Sequence, residues 1–189
     1  VSEGVRERAT AFAPATVGNV GIGFDILGHT VEALGDRVTV VRTPERGVVR
    51  IREITGTVTD LPLEAERNTA GQALLSLARA QRIQFGMDVS IEKGIPLGSG
   101  LGGSAASAVA AVVAGNALLE TPLPKLQLLK FAMQGEAVAS GSVHVDNIAP
   151  SLYGGLVLTV GIDHPRTKRI PVPNGVRCVV VHPHMYLST

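Results

Sequence analysis

Cysteine is almost absent from this chain of 189 residues: Cys178 stands alone, which excludes an internal disulfide framework and suggests a reducing compartment. Its setting in "VRCVVVHP", an apolar strand-like run, predicts a buried, inert thiol rather than a nucleophile. Tryptophan is missing, and 2 Tyr with 4 Phe leave few platforms on which nucleic-acid bases could stack. Neither sign of charge dominates. Seventeen Lys+Arg face 16 Asp+Glu with no run of five like charges, so no nucleic acid and no membrane is expected among the partners. The longest apolar stretch, Ala105 to Leu119, is too short to span a bilayer and contains Ser107, Gly115 and Asn116. "VSEGVRERATAF" has charge but no apolar core of a secretory signal. These absences lead us to expect a soluble, cytoplasmic protein.

What is present is a core-forming chain, 45% hydrophobic and long enough for one domain, or for one domain and part of another. Val5–Ala13, Val38–Arg42 and Val48–Ile54 read as strands from their β-branched residues. The period then changes. Ala70, Ala73, Leu74, Leu77 and Ala78 recur at helical spacing, with Asn68 or Thr69 as the cap. "MDVSIEKGIP" reads as a strand, Ser104–Leu119 as an interior helix with hardly any polar face, and Pro124–Ala139 as another helix. "GSVHVDNIAPSLYGG" reads as a loop or short helical turn, followed by strands "LVLTV", "KRIPV" and "VRCVVVH". Mixed strands and helices without strict alternation indicate an α+β fold. The ending, "VVVHPHMYLST", looks like a domain cut shortly after it begins.

The chemistry concentrates in "GIPLGSGLGGSAAS", where Gly94, Gly98, Gly100, Gly102 and Gly103 fall within ten residues. Gly98, Gly100 and Gly103 satisfy the dinucleotide pattern G-x-G-x-x-G. That pattern requires a following strand with an acid about 20 residues on, and the only nearby acid, Glu120, precedes Pro122 and Pro124 at a helix end. A Walker loop requires lysine before its Ser/Thr, and Gly103 stands there instead. A flexible loop before a core helix accounts for one or two glycines, not for this density beside Ser99, Ser104 and Ser107. The remaining reading is an anion site, in which glycine amides and a helix N-terminus converge on phosphate. The histidines His144, His164, His182 and His184 show no zinc spacing with cysteine, and the last two read as structural.

"PLGSGLGGSAAS" resembles the phosphate loop of the GHMP small-molecule kinases. With "PATVGNVGIGFDILG" at 14–28 and "GSVHVDNIAPSLYGG" at 141–155, the chain is similar throughout to the homoserine kinases of that family. The resemblance implies a ribosomal protein S5 domain 2-like N-terminal domain over residues 1–165. It also implies the start of a C-terminal lobe at 166–189, the rest of that lobe being absent. ATP and L-homoserine are the implied substrates, O-phosphohomoserine on the route to threonine the product, Mg²⁺ the metal, and a homodimer the expected assembly.

Residue by residue, the resemblance assigns Asn19, Asp25, His144, Asp146 and Thr189 to the amino-acid substrate. Asn68 and Lys93 go to the adenine. Pro96, Leu97, Gly98, Ser99, Gly100, Leu101, Gly102, Gly103, Ser104, Ala105, Ala106 and Ser107 go to the phosphates. Mg²⁺ falls to Ser104 and Glu136, which also count with Asn147 as catalytic. The chemistry of the residues agrees. An α-ammonium group calls for a buried acid, expected in Asp25, and Glu136 in mid-helix among apolar neighbours calls for a cation. Asn147 stands where some relatives place a basic aspartate and cannot remove a proton, so direct in-line transfer by alignment and charge neutralisation is expected. Two departures stand out: Gly103 replaces a frequent serine, and the family's substrate-binding arginine beyond "YLST" is not in the chain. A kinase for another small alcohol, or a silent nucleotide-binding module, are the alternatives.

Overall fold

Val38 and Val40 alternate inward along one strand and lie opposite Ile91 and Val89 of the next, all four essentially inaccessible to solvent. The computed structural model that shows this describes residues 6–140 and 143–181. Around that pair the chain builds a six-stranded sheet from β1 (Arg8–Val17), β2 (Leu27–Thr43), β3 (Val49–Gly56), β4 (Gly86–Lys93), β5 (Leu156–Val160) and β6 (Arg166–Ile170). Among the described residues four α-helices accompany it: α1 (Thr69–Gln81), α2 (Gly103–Asn116), α3 (Lys125–Ser140) and α4 (Val145–Tyr153). The fold is α+β, as expected.

Strand order runs β3-β4-β2-β5-β6, with β1 also paired to β2. Among the described strands only β3 and β4 pair in parallel, and the link between them carries α1, as a parallel crossover demands. The sheet's apolar face packs on the helices. Its other face is wetter, carrying for example the cross-strand pair Arg37–Glu92 at 3.5 Å. No helix among the described residues is long and apolar enough to cross a membrane.

Helix α2 is made almost wholly of Ala, Val, Gly and Ser, and it packs against α1, α3, β1 and β2. Small side chains let these neighbours come close. A Cβ at Gly135 of α3 would stand 2.5 Å from the Thr69 carbonyl of α1, 2.8 Å from Ala73 Cβ and 3.3 Å from Ala108 Cβ of α2. That three-helix junction brings the next residue, Glu136, against the start of α2. Helix α1 is capped as expected: Asn68 Oδ1 accepts from the amides of Ala70 and Gly71 at 3.0 and 3.4 Å.

Several sequence expectations are corrected. β1 begins at Arg8 and runs on to Val17, into the segment expected as loop. β2 starts at Leu27, eleven residues before the expected Val38, because its early part pairs with β5 and its later part with β1 and β4. The β1–β2 register jumps between Pro14↔Gly35 and Thr16↔Thr30, so residues 31–34 bulge out. Within "GSVHVDNIAPSLYGG", expected as a loop or short helical turn, Val145–Tyr153 form a nine-residue helix, α4, with Pro150 inside it. Pro150 has no N–H for the Asp146 carbonyl, and Gly28 of β2 packs there instead, so close that a Cβ on Gly28 would lie 1.8 Å from that oxygen.

β6 takes up Arg166–Ile170 rather than "KRIPV" and is hydrogen-bonded to β5. Residues 176–181 form no strand, and Cys178 is exposed rather than buried, its Sγ 3.6 Å from His29 Nε2. No described strand pairs with this run, so Val179 and Val181 remain 84% and 83% accessible. His182, His184 and Thr189 lie outside the described residues.

Candidate functional site

The glycine loop leaves β4 at Lys93 and enters α2 at Gly103. Gly98, Gly100 and Gly102 all have left-handed backbone, with φ of 66°, 69° and 66°. Successive left-handed turns of this kind can direct neighbouring N–H groups to one side, which side-chain-bearing residues do only at a cost. Gly102 is the N-cap of α2 and offers no side-chain cap, so the helix's first turn borders the cleft with its positive dipole end. The loop forms one wall of an open cleft of about 790 Å³, which Asn68, Lys93, Glu136, His144 and Asn147 also line. Leu101, Ala105 and Ala106 turn into the core instead and can contribute only their backbone to a ligand.

Beneath the loop lies a network of buried polar groups. Lys93, 6% exposed, donates to the Gly103 carbonyl at 2.8 Å, to Ser107 Oγ at 2.8 Å and to Asp36 Oδ2. Asp36, with no exposed surface, also accepts from Ser107 Oγ at 2.6 Å and from the amides of Gly94 and Ile95 at 3.0 and 3.3 Å. All three donors of the ammonium are thereby engaged. Asn68, the other residue assigned to adenine, uses its oxygen for the α1 cap and donates Nδ2 to the Pro62 carbonyl at 2.9 Å.

Glu136 and Ser104 meet across the α2–α3 contact, with Ser104 Oγ donating to Glu136 Oε1 at 2.8 Å. The carboxylate is 4% exposed and Oε2 is buried without a partner. Burial pushes the Glu136 carboxyl above the usual carboxylate range, against the opposing effects of the Ser104 hydroxyl and the charges of His144 and Lys93. An orphaned carboxylate oxygen beside a hydroxyl at the end of a phosphate-type loop fits Mg²⁺, which takes few protein oxygens and completes its shell with water and phosphate. No group of three or more His, Cys, Asp or Glu is gathered among the described residues.

Elsewhere around the cleft, α4 and the β1–β2 loop are tied together. Asn19 N donates to Asp146 Oδ2 at 2.8 Å, and Asn19 Oδ1 accepts from Asp25 N at 2.8 Å. Both loop residues have left-handed backbone, φ 54° at Asn19 and 60° at Asp25. Asp25 is exposed, not the buried acid expected, because the loop projects from the sheet with Ile22 and Phe24 in solvent beside it. Asp146 is the buried acid: it is 1% exposed, its Oδ1 has no partner, and burial raises its pKa against the Asn19 amide and the His144 charge. Asn147 Oδ1 accepts from Thr16 Oγ1 at 2.9 Å, and Thr16 N donates to the Leu101 carbonyl at 3.0 Å, so β1 joins α4 to the glycine loop.

Sequence reasoning missed Thr16 and Asp36. The signal for Asp36 was its phase: it lies two and four residues before Val38 and Val40 and so shares their inward face. Thr16 had no such mark beyond its place in "PATVGN".

Residues 68–155 match the family described as GHMP kinases N terminal domain. The chain is 54% identical over 188 residues to a homoserine kinase of Xanthomonas campestris pv. campestris, covering 100% of this chain and 57% of that protein. It is 52% identical over 184 residues to a homoserine kinase of Xylella fastidiosa, covering 96% and 55%. It thus spans a little over half the length of these curated relatives. Among solved structures, homoserine kinase from Cytophaga hutchinsonii superposes with a TM-score of 0.84 at 45% identity, over 90% of this chain and 54% of that one. The L. major mevalonate kinase, at 17% identity and a TM-score of 0.69 over 90% and 55%, shares the fold.

Proposed function

We propose, on the match of residues 68–155 to the GHMP kinases N terminal domain, that the chain carries the nucleotide site of an ATP:L-homoserine phosphotransferase. The observation that carries this reading is the Ser104–Glu136 pair. A buried carboxylate with one oxygen unpartnered, held at the end of a left-handed glycine loop, suits a cation on nucleotide phosphates.

In the proposed reaction, loop amides and the α2 dipole hold the phosphates of ATP, and Ser104 with Glu136 would hold Mg²⁺. A divalent cation there supplies charge neutralisation for the transferring phosphoryl group. Asn147, oriented by Thr16, aligns the acceptor hydroxyl for in-line attack. A carboxamide takes no proton, so catalysis rests on alignment and electrostatics rather than on a side-chain base. The substrate ammonium goes to Asp146, whose buried, unpartnered Oδ1 suits a cation better than the exposed Asp25 does. Asn19 and His144 flank it. The homodimer, the cytoplasmic setting and a place on the route to threonine belong to this same proposal and rest on the resemblance to homoserine kinases.

The test is coupled ADP release with homoserine, serine and mevalonate as acceptors, on this chain and on the full-length gene product. Homoserine-dependent ADP release from the full-length protein is the expected result; none with any acceptor would overturn the assignment. Asn147→Ala is expected to lower turnover at least tenfold with little change in nucleotide affinity, the signature of an interaction made in the transition state.

A further inference from the structure

A phosphate loop rich in glycine has few side chains with which to hold its own shape. Here both of its ends are fastened to one carboxylate. Asp36 Oδ1 takes the amides of Gly94 and Ile95, where the chain leaves β4. Its Oδ2 takes Ser107 Oγ on the second turn of α2, and Lys93, whose ammonium also holds the Gly103 carbonyl at the helix's first residue. The loop from Pro96 to Gly102 therefore runs between two anchors that share a single buried side chain on a central strand, with the Leu101 carbonyl held in addition by the Thr16 amide. Asp36 has no exposed surface and does not line the cleft, so it cannot touch a ligand itself.

We infer that Asp36 is a positioning residue for nucleotide phosphates, acting through Lys93 and Ser107 to set the spacing between the two ends of the glycine loop. The inference rests on the proposed nucleotide site and assigns Lys93 a role beneath the loop. A carboxylate is needed because it has only acceptors: both oxygens face donors, four hydrogen bonds in all. Asparagine offers one acceptor oxygen and an NH₂ group, so it satisfies one anchor and sets donor against donor at the other. Preorganised amides are effective only while their geometry is fixed before the ligand arrives, and releasing one anchor forfeits that.

The experiment compares MgATP with adenosine by calorimetry on the full-length gene product, for wild type, Asp36→Asn and Asp36→Glu, with thermal unfolding recorded for each. Asp36→Glu keeps the charge facing Lys93 and shifts only the tether, so no buried ion is left unpaired and the test stays informative should Asp36→Asn fold poorly. A folded variant is expected to bind MgATP about tenfold more weakly, the worth of roughly one good hydrogen bond. Adenosine, which has no phosphate, is expected to bind unchanged. Equal weakening of both ligands means general loosening and overturns the inference, as does unchanged MgATP affinity in either folded variant. Wild type failing to bind MgATP is a separate outcome, which overturns the nucleotide reading and this inference with it.

Discussion

Replacing Gly102 by alanine separates two costs that glycines in this loop conceal. Its φ of 66° and ψ of 35° lie in the left-handed region, where an added Cβ costs about 1–2 kcal/mol. The Cβ would also stand 2.3 Å from Thr16 Oγ1 and 3.0 Å from Asn147 Oδ1, inside the hydrogen bond that joins those two residues. Forcing them apart adds about 1–3 kcal/mol, the usual range for overpacking. Gly102→Ala is therefore expected to lose about 2–5 kcal/mol in all. Gly100→Ala is the matched control. Its φ of 69° carries the same backbone penalty, but nothing lies within 4 Å of its Cβ, so it should lose only about 1–2 kcal/mol. Urea unfolding of both variants, read with a common slope, gives the difference directly. The functional corollary is that Gly102→Ala, by displacing Thr16, should impair turnover more than Gly100→Ala does. Equal destabilisation by the two substitutions would refute the steric half of the reasoning, and with it the placement of Thr16 and Asn147 against the helix cap.

Other consequences are open to measurement. Because burial raises the Glu136 pKa, the native state holds that proton more tightly than the unfolded chain, and stability falls as pH rises from about 4 through the folded value. Glu136→Gln keeps an acceptor for Ser104 but carries no charge. It should raise Tm at neutral pH, with the gain vanishing below about pH 4, while abolishing Mg²⁺-dependent ADP formation; a gain independent of pH would rule out ionisation as its source. Asp146→Asn is expected to follow the same pH pattern with loss of homoserine affinity rather than of nucleotide affinity, read by separate titrations. Cys178 is exposed and should be alkylated by iodoacetamide in the native protein without denaturant, seen as a single mass shift; protection until unfolding would restore the buried-strand reading.

Much of the fold was legible locally. Helix α1 declares itself by apolar period and by Asn68, and α2 by an all-round apolar run that only an interior helix can carry. The early part of β2 was hidden because "LGHTVEALGD" contains two glycines and helix-favouring residues, and its strand character comes from pairing with β5, far along the chain. The full length of α4 was hidden by Pro150, whose missing N–H reads as a breaker until Gly28 supplies the close neighbour that fills the gap. The run at 176–181 shows the opposite failure: strand-like residues form no strand without a partner edge.

The sequence by itself determined the kind of site to expect. Clustered glycines before an apolar helix announce backbone amides for an anion, and the absence of lysine at the Walker position and of a following strand removes the two commoner readings. That much is local stereochemistry. Tertiary structure decided which side chains serve the site, because charges act through distance in space. It buried Asp36 and Asp146, left Asp25 in water, turned Lys93 beneath the loop and set Glu136 against Ser104 through a junction that only a glycine at 135 permits. A carboxylate's role depends on its desolvation and its partners, and neither is written at its own position in the chain.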